Sequence, residues 1–230
     1  MEKIYQSILN LISNLFEGPL LSIQDAVKDL KKSELHASSN NVIQPIEQIS
    51  ISSDSLTHIL DNISAMVNLS AGLTPVNRIK NNIEELITAC YDKVKQSMTN
   101  YCWVVRIEDN LPEILFDYDL IELLFYNLAF HAIEFAPPES TIEVEAKQNG
   151  DYVTVSLAGE GQIIPEEMVD VVFEKFYRLS AMTPDVTQSR GLGLGLAIAK
   201  TIAEIHNGHL TVKSRPKGGT IFCLFLPVEN

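Results

Sequence analysis

The sequence predicts an α+β protein: an N-terminal helical hairpin followed by a two-layer α/β sandwich. Three observations predict it. In about the first 70 positions, apolar residues recur at three- and four-residue steps on both sides of a polar break. Beyond them, helical and alternating stretches interleave and are joined by hairpin turns at Asn149-Gly150 and Lys217-Gly218-Gly219. A run of glycines at alternate positions, Gly191, Gly193 and Gly195, then leads into an apolar helix.

Each element follows in order. Ile4, Ile8, Leu11, Ile12, Leu15, Ile23, Val27 and Leu30 lay an apolar stripe along a first helix. Residues 32–41 are rich in Ser and Asn and read as the turn. Ile46, Ile49, Leu56, Ile59, Leu60, Ile63, Met66, Val67 and Leu69 repeat the stripe on a second helix. A hairpin cannot bury two such stripes alone. Pairing with a second copy into a four-helix bundle is the simplest solution, so residues 1–72 are expected to form a homodimer. The alternative is that the stripes pack on the rest of the same chain. Residues 73–80, with Thr74 and Pro75, read as a linker, and 81–230 as the sandwich. Within the sandwich, 83–94 predicts a helix and 102–107 a strand. A helix over 119–135 is stopped by Pro137 and Pro138. Strands follow at 141–146 and 152–157, then a short helix after Pro165 and a polar stretch over 180–190. A helix over 193–206 and a closing hairpin, 209–214 with 220–227, complete the domain.

Composition narrows the partners. Hydrophobic residues make up 46% of the 230 and charged residues 20%, as in a folded domain. A net charge of -13 repels phosphates, which disfavours nucleic acid and contact with an anionic membrane. No apolar run is long enough to span a bilayer, and no secretory signal pattern opens the chain. Cys90, Cys102 and Cys223 form no metal or redox spacing, so the expectation is a reduced, cytoplasmic setting without a metal site built on cysteine.

The stretch from Arg190 to Lys200, with its three glycines, lies upstream of His206-Asn207-Gly208-His209 and the closing hairpin. It lies downstream of Val172-Phe173-Glu174-Lys175-Phe176-Tyr177-Arg178. That ordered set resembles the second glycine box and the phenylalanine box of sensor histidine kinases. The stretch from Asn127 to Pro138 resembles their asparagine box, and Asp117-Tyr118-Asp119 the start of that box's helix. Ile59 to Gly72 resembles the end of their second dimerisation helix. The potassium-responsive subgroup is nearest in look. The resemblance implies a dimerising, phosphotransferring helical hairpin and an ATPase domain of the histidine-kinase (Bergerat) type. It also implies ATP with magnesium as cofactor and a response regulator as partner.

The pattern departs from the family at the chemistry. The resemblance places a phosphorylated histidine five residues before a characteristic proline. Here the proline is Pro19 and that position is Asn14, whose amide nitrogen has no free lone pair to attack phosphorus. The acid that follows the histidine in the family is Leu15. The magnesium-binding asparagine corresponds to His131, a poor ligand for a cation that prefers oxygen. Phe130 stands for an acidic residue and Glu134 for a basic one. The aspartate that reads adenine corresponds to Gly159, and a box glycine to Ile163, which is expected to crowd the cleft.

No catalytic residue is therefore assigned. If a nucleotide or anion binds, the resemblance points to Gly191, Gly193, Gly195, Leu196, Lys175, Arg178, Asn127 and His131. For the glycines, packing of the helix stands beside phosphate binding and is favoured. For His131, a packed scaffold role is favoured over a ligand role. His58 is the fallback phosphoacceptor, against the plainer account of a surface histidine. His206 and His209 read as helix-end residues suited to the helix dipole. The expected function is a pseudo-histidine-kinase: a dimeric signalling scaffold that binds a response regulator or an active kinase without phosphotransfer and needs no cofactor. The alternatives are a divergent ATP-dependent kinase and a histidine phosphotransferase.

Overall fold

The computed structural model describes residues 2–33, 42–97, 101–134, 136–161, 163–177, 193–215 and 218–229; the side chains of 2–15, 32–33, 96–97 and 134 fall outside that description. Contacts divide the chain into two compact units, with the boundary between Ala65 and Met66.

The first unit is a helical hairpin. Helix α1 runs Glu2–Ser33 and α2 runs Ile43–Ser70, its residues from Met66 on falling in the second unit. Pro19 lies inside α1, where its missing N–H removes one helical hydrogen bond. The described seam between the helices is small and polar. Ser22 Oγ accepts Gln48 Nε2–H at 2.8 Å and lies 3.0 Å from Ser52 Oγ. Ala26, Ser52, Ile59 and Asn62 are buried there. Meanwhile Leu20, Leu21, Ile43, Ile46, Leu60 and Val67 stay exposed. Ile46, Leu60 and Val67 of the second stripe are thus left in water, with Leu20, Leu21 and Ile43 beside the stripes. No described helix is long and apolar enough to cross a membrane.

The second unit is a layer of helices on a mixed sheet. Its elements are β1 (Ile79–Asn81), α3 (Ile83–Ser97), β2 (Cys102–Ile107), β3 (Ile114–Phe116), α4 (Tyr118–Glu134), β4 (Thr141–Asn149), β5 (Tyr152–Gly159), α5 (Gly195–Ile205), β6 (His209–Ser214) and β7 (Thr220–Pro227). The main sheet has the order β2-β4-β5-β7-β6. Strand β2 runs parallel to β4, and the other pairs are antiparallel. Register aligns Val144, Leu157, Phe222 and Val212 in one row across four strands, all buried. Alternate side chains such as Glu143, Ser156 and Lys213 point the other way, as the two-residue period of a strand requires. The buried row packs on the helices: Ile83, Leu86, Ile87, Cys90 and Val94 of α3 recur at helical spacing, and α4 and α5 bury most of their apolar residues.

The predicted elements from residue 83 onward are present, with two differences of type. The segment after Pro165 is two 3-10 turns, Glu166–Met168 and Val171–Phe173, in place of a short helix. A second, two-stranded sheet joins β1 to β3. Its strands have three residues each, too short for alternation to announce them. The polar stretch over 180–190 lies outside the described residues.

Candidate functional site

The glycine run meets α4 at the first turn of α5. Gly193 has φ +66°, and a Cβ there would collide with the Tyr177 carbonyl oxygen. Its own carbonyl accepts Phe176 N–H at 2.9 Å. A Cβ on Gly195 would lie 2.6 Å from Asn127 Oδ1. Both glycines are thus demanded by the protein's own close approaches. Asn127 is 2% exposed, and its Nδ2 donates to the Leu123 carbonyl one turn back at 3.0 Å. Its Oδ1 is buried with no hydrogen-bond partner among the described residues. Leu194 and Leu196 are buried, so the start of α5 is an apolar plug as much as an open helix end.

Of the predicted basic residues, Lys175 is the one described, and it turns to α2. Lys175 is exposed, and its Nζ reaches Ser70 Oγ at 3.3 Å. Lys200, which the sequence reading did not single out, lies over the Phe173 ring at 5.4 Å. Gly191 and Arg178 lie outside the described residues.

His131 lies one turn beyond Asn127 on α4. The residue is partly exposed, but its Nδ1 is out of solvent contact. The ring meets Phe222 edge-on, with centroids 5.2 Å apart and planes at 77°. Desolvation pushes its pKa down to about 4, so the imidazole is neutral at pH 7. A ring that meets Phe222 edge-on and keeps Nδ1 out of solvent is packed against the sheet, with part of its surface still exposed.

Gly159 ends β5 directly beneath α4. A Cβ there would stand 3.1 Å from Ala132 Cβ, 3.2 Å from Ala132 O and 3.4 Å from Ile142 Cδ1. No aspartate occurs from Tyr152 to Glu167. Ile163, expected to crowd the cleft, is 53% exposed. Its neighbour Ile164 takes the buried place, held by Ser214 Oγ, which accepts Ile164 N–H at 3.1 Å and donates to Ile164 O at 2.5 Å.

On the hairpin, Asn14 falls within α1, its side chain outside the described residues. His58 is partly buried on α2, and Asn62 Nδ2 lies 3.3 Å from its Nε2.

Comparison with known proteins fits this architecture. Residues 116–230, half of the chain, match the family described as histidine kinase-, DNA gyrase B-, and HSP90-like ATPase. Sensor protein KdpD of Clostridium acetobutylicum is 26% identical over 228 residues, which is 99% of this chain and 25% of that protein. Heme sensor protein HssS of Staphylococcus haemolyticus is 24% identical over 234 residues, 100% of this chain and 48% of its own length. The chain therefore spans less than half of either relative. Among solved structures, histidine kinase ThkA in complex with response regulator protein TrrA has a TM-score of 0.65 at 19% identity, covering 98% of this chain and 62% of that one. Acinetobacter baumannii histidine kinase AdeS has a TM-score of 0.61 at 14% identity, covering 93% of this chain and 97% of that one. The family match over residues 116–230 and the likeness to kinase relatives along nearly the whole chain lead to one conclusion: the chain belongs to the histidine kinase-, DNA gyrase B-, and HSP90-like ATPase family and carries the core of a sensor histidine kinase.

Proposed function

We propose that this chain is a pseudo-histidine-kinase. It is a dimeric signalling scaffold of a two-component pathway, paired through residues 1–72, that binds a response-regulator receiver domain or an active histidine kinase without transferring phosphate. The observation that carries the reading is the His131 ring turned onto Phe222, at the place where the resemblance implies a magnesium-binding asparagine. An ATP–magnesium pair held in the family's manner does not fit the residues present. Gly159 offers no carboxylate to adenine, and a side chain there would press on Ala132. The glycines of the α5 turn are already required by Asn127 and Tyr177. The apolar residues left exposed on the hairpin support pairing with a second copy. The ThkA–TrrA complex, on the same fold, gives the precedent for a receiver as partner.

Calorimetry with ATP and with ADP, with and without magnesium, tests the reading. No heat at nucleotide concentrations of about 1 mM is expected, and clear micromolar binding would sink it. Loss of dimer in a Leu60→Glu, Val67→Glu double variant, read by sedimentation, tests the pairing.

A second reading rests on Asn127 and the N-terminus of α5, which lie side by side as a nucleotide site would need. In it, a divergent kinase or phosphotransferase works through His58. It requires acid-labile phosphate on the chain, from ATP or from a phosphorylated receiver, that disappears in His58→Ala.

A further inference from the structure

Asp117 joins three parts of the sandwich. It lies between β3 and α4, and its Oδ1 accepts Leu120 N–H at 3.2 Å, capping the first turn of α4. Its Oδ2 accepts Asn77 N–H at 2.8 Å, in the segment that follows α2. Its own N–H donates to His206 Nε2 at 2.9 Å, at the C-terminal end of α5. His206 is fully buried, and its Nδ1 lies 2.7 Å from the Ile202 carbonyl oxygen. A carbonyl can only accept and an amide N–H can only donate. The two partners therefore fix one neutral tautomer, protonated at Nδ1 and bare at Nε2. His206 thus sits at the end of α5, as the sequence suggested, and meets a last-turn carbonyl as a buried neutral ring.

We infer that His206 is a proton-operated latch, which in its neutral form leaves the Asp117 carboxylate to the Asn77 amide and in its protonated form draws that carboxylate away. A proton on Nε2 sets a donor against the Asp117 N–H, so the existing hydrogen bond is lost. The nearby acceptor of matching charge is the carboxylate of the same residue, now shared between Leu120 and Asn77. Turning it toward the imidazolium releases Asn77, and with it the 73–78 segment that leads in from α2.

The charged groups bearing on the ring are few. Asp117, from the β3–α4 junction, favours the proton, and Arg78, from the segment before β1, opposes it. From α5 itself the Ile202 carbonyl also favours the proton. Burial outweighs these and holds the pKa below the ordinary histidine value. The latch is therefore closed at neutral pH and opens in acid.

The test uses the full chain with labelled histidine, followed by NMR from about pH 7.5 to about pH 5. The His206 ring resonance reports protonation, and amide exchange, corrected for its intrinsic pH dependence, reports the Asn77 bond. The expected result is an approximately tenfold loss of Asn77 protection in step with His206 protonation, while amides of the β5–β7 ladder hold. In His206→Gln the Asn77 protection becomes independent of pH. Asp117→Asn, which removes the charged target, moves the His206 titration to lower pH. Two results overturn the inference, and both are read in the wild-type chain even if the variants fail to fold. One is unchanged Asn77 protection while His206 protonates. The other is a His206 that stays neutral until the domain unfolds.

Discussion

The packing of His131 carries a stability cost that can be measured. Its pKa falls from the ordinary 6.5 to about 4 because the ring is desolvated. The folded state therefore prefers the neutral form, while the unfolded chain takes up a proton near pH 6.5. The stabilisation is complete above pH 6.5 and is lost as pH falls toward the folded value of about 4. At about 1.4 kcal/mol per unit, the full span is worth about 3 kcal/mol, of which about 2 kcal/mol is gone by pH 5. The perturbation is His131→Leu, which keeps an apolar side chain on Phe222 and removes the titration. Trp103, the one tryptophan, lies on β2 and reports unfolding of the sandwich. Urea unfolding followed at Trp103 between pH 7.5 and pH 5 gives the slope of stability against pH for both proteins. His206 and Glu143, whose pKa values are also lowered, contribute in the same direction to both, so they cancel in the difference. The wild type should lose about 2 kcal/mol more than the variant across that range. Equal slopes would show that the ring is solvated or charged in the folded protein. The argument that this position has become core would then fail.

Three further outcomes follow from the same geometry. Gly195→Ala sets a methyl group 2.6 Å from Asn127 Oδ1, so the buried Asn127 side chain or α5 itself must shift; a loss of about 1–3 kcal/mol is expected by urea unfolding. Gly159→Asp, which sets there the residue type that the resemblance implies, pushes a carboxylate toward Ala132 and should lower stability by about 2–4 kcal/mol without giving nucleotide heat in calorimetry; tight binding would show that the β5 end yields. Glu143→Gln weakens the contacts to Arg106 at 3.0 Å and Arg215 at 2.8 Å; because Arg106 is largely exposed, the change in thermal unfolding should correspond to less than about 1 kcal/mol.

The order and type of nearly every element could be read without coordinates, because each had enough length for its period to show. The helices from 83 and from 119 have stripes of several turns, and the closing hairpins have Asn149-Gly150 and Gly218-Gly219 between alternating strands. The three-residue strands β1 and β3 escaped, since pairing between residues so far apart in the chain leaves no local pattern. The candidate site divides in the same way. Residue type alone raised the expectation that Asn14, His131 and Gly159 stand where the resemblance implies other chemistry. Only the folded chain decided where those side chains go: His131 against Phe222, Ile163 into solvent with Ile164 beneath it, and Gly195 against Asn127. Asp117, His206 and Asn77 are scattered over the sequence, and nothing local links them. Their hydrogen bonds, like the charge state of a buried imidazole, depend on what the fold removes from water, and local sequence does not encode that.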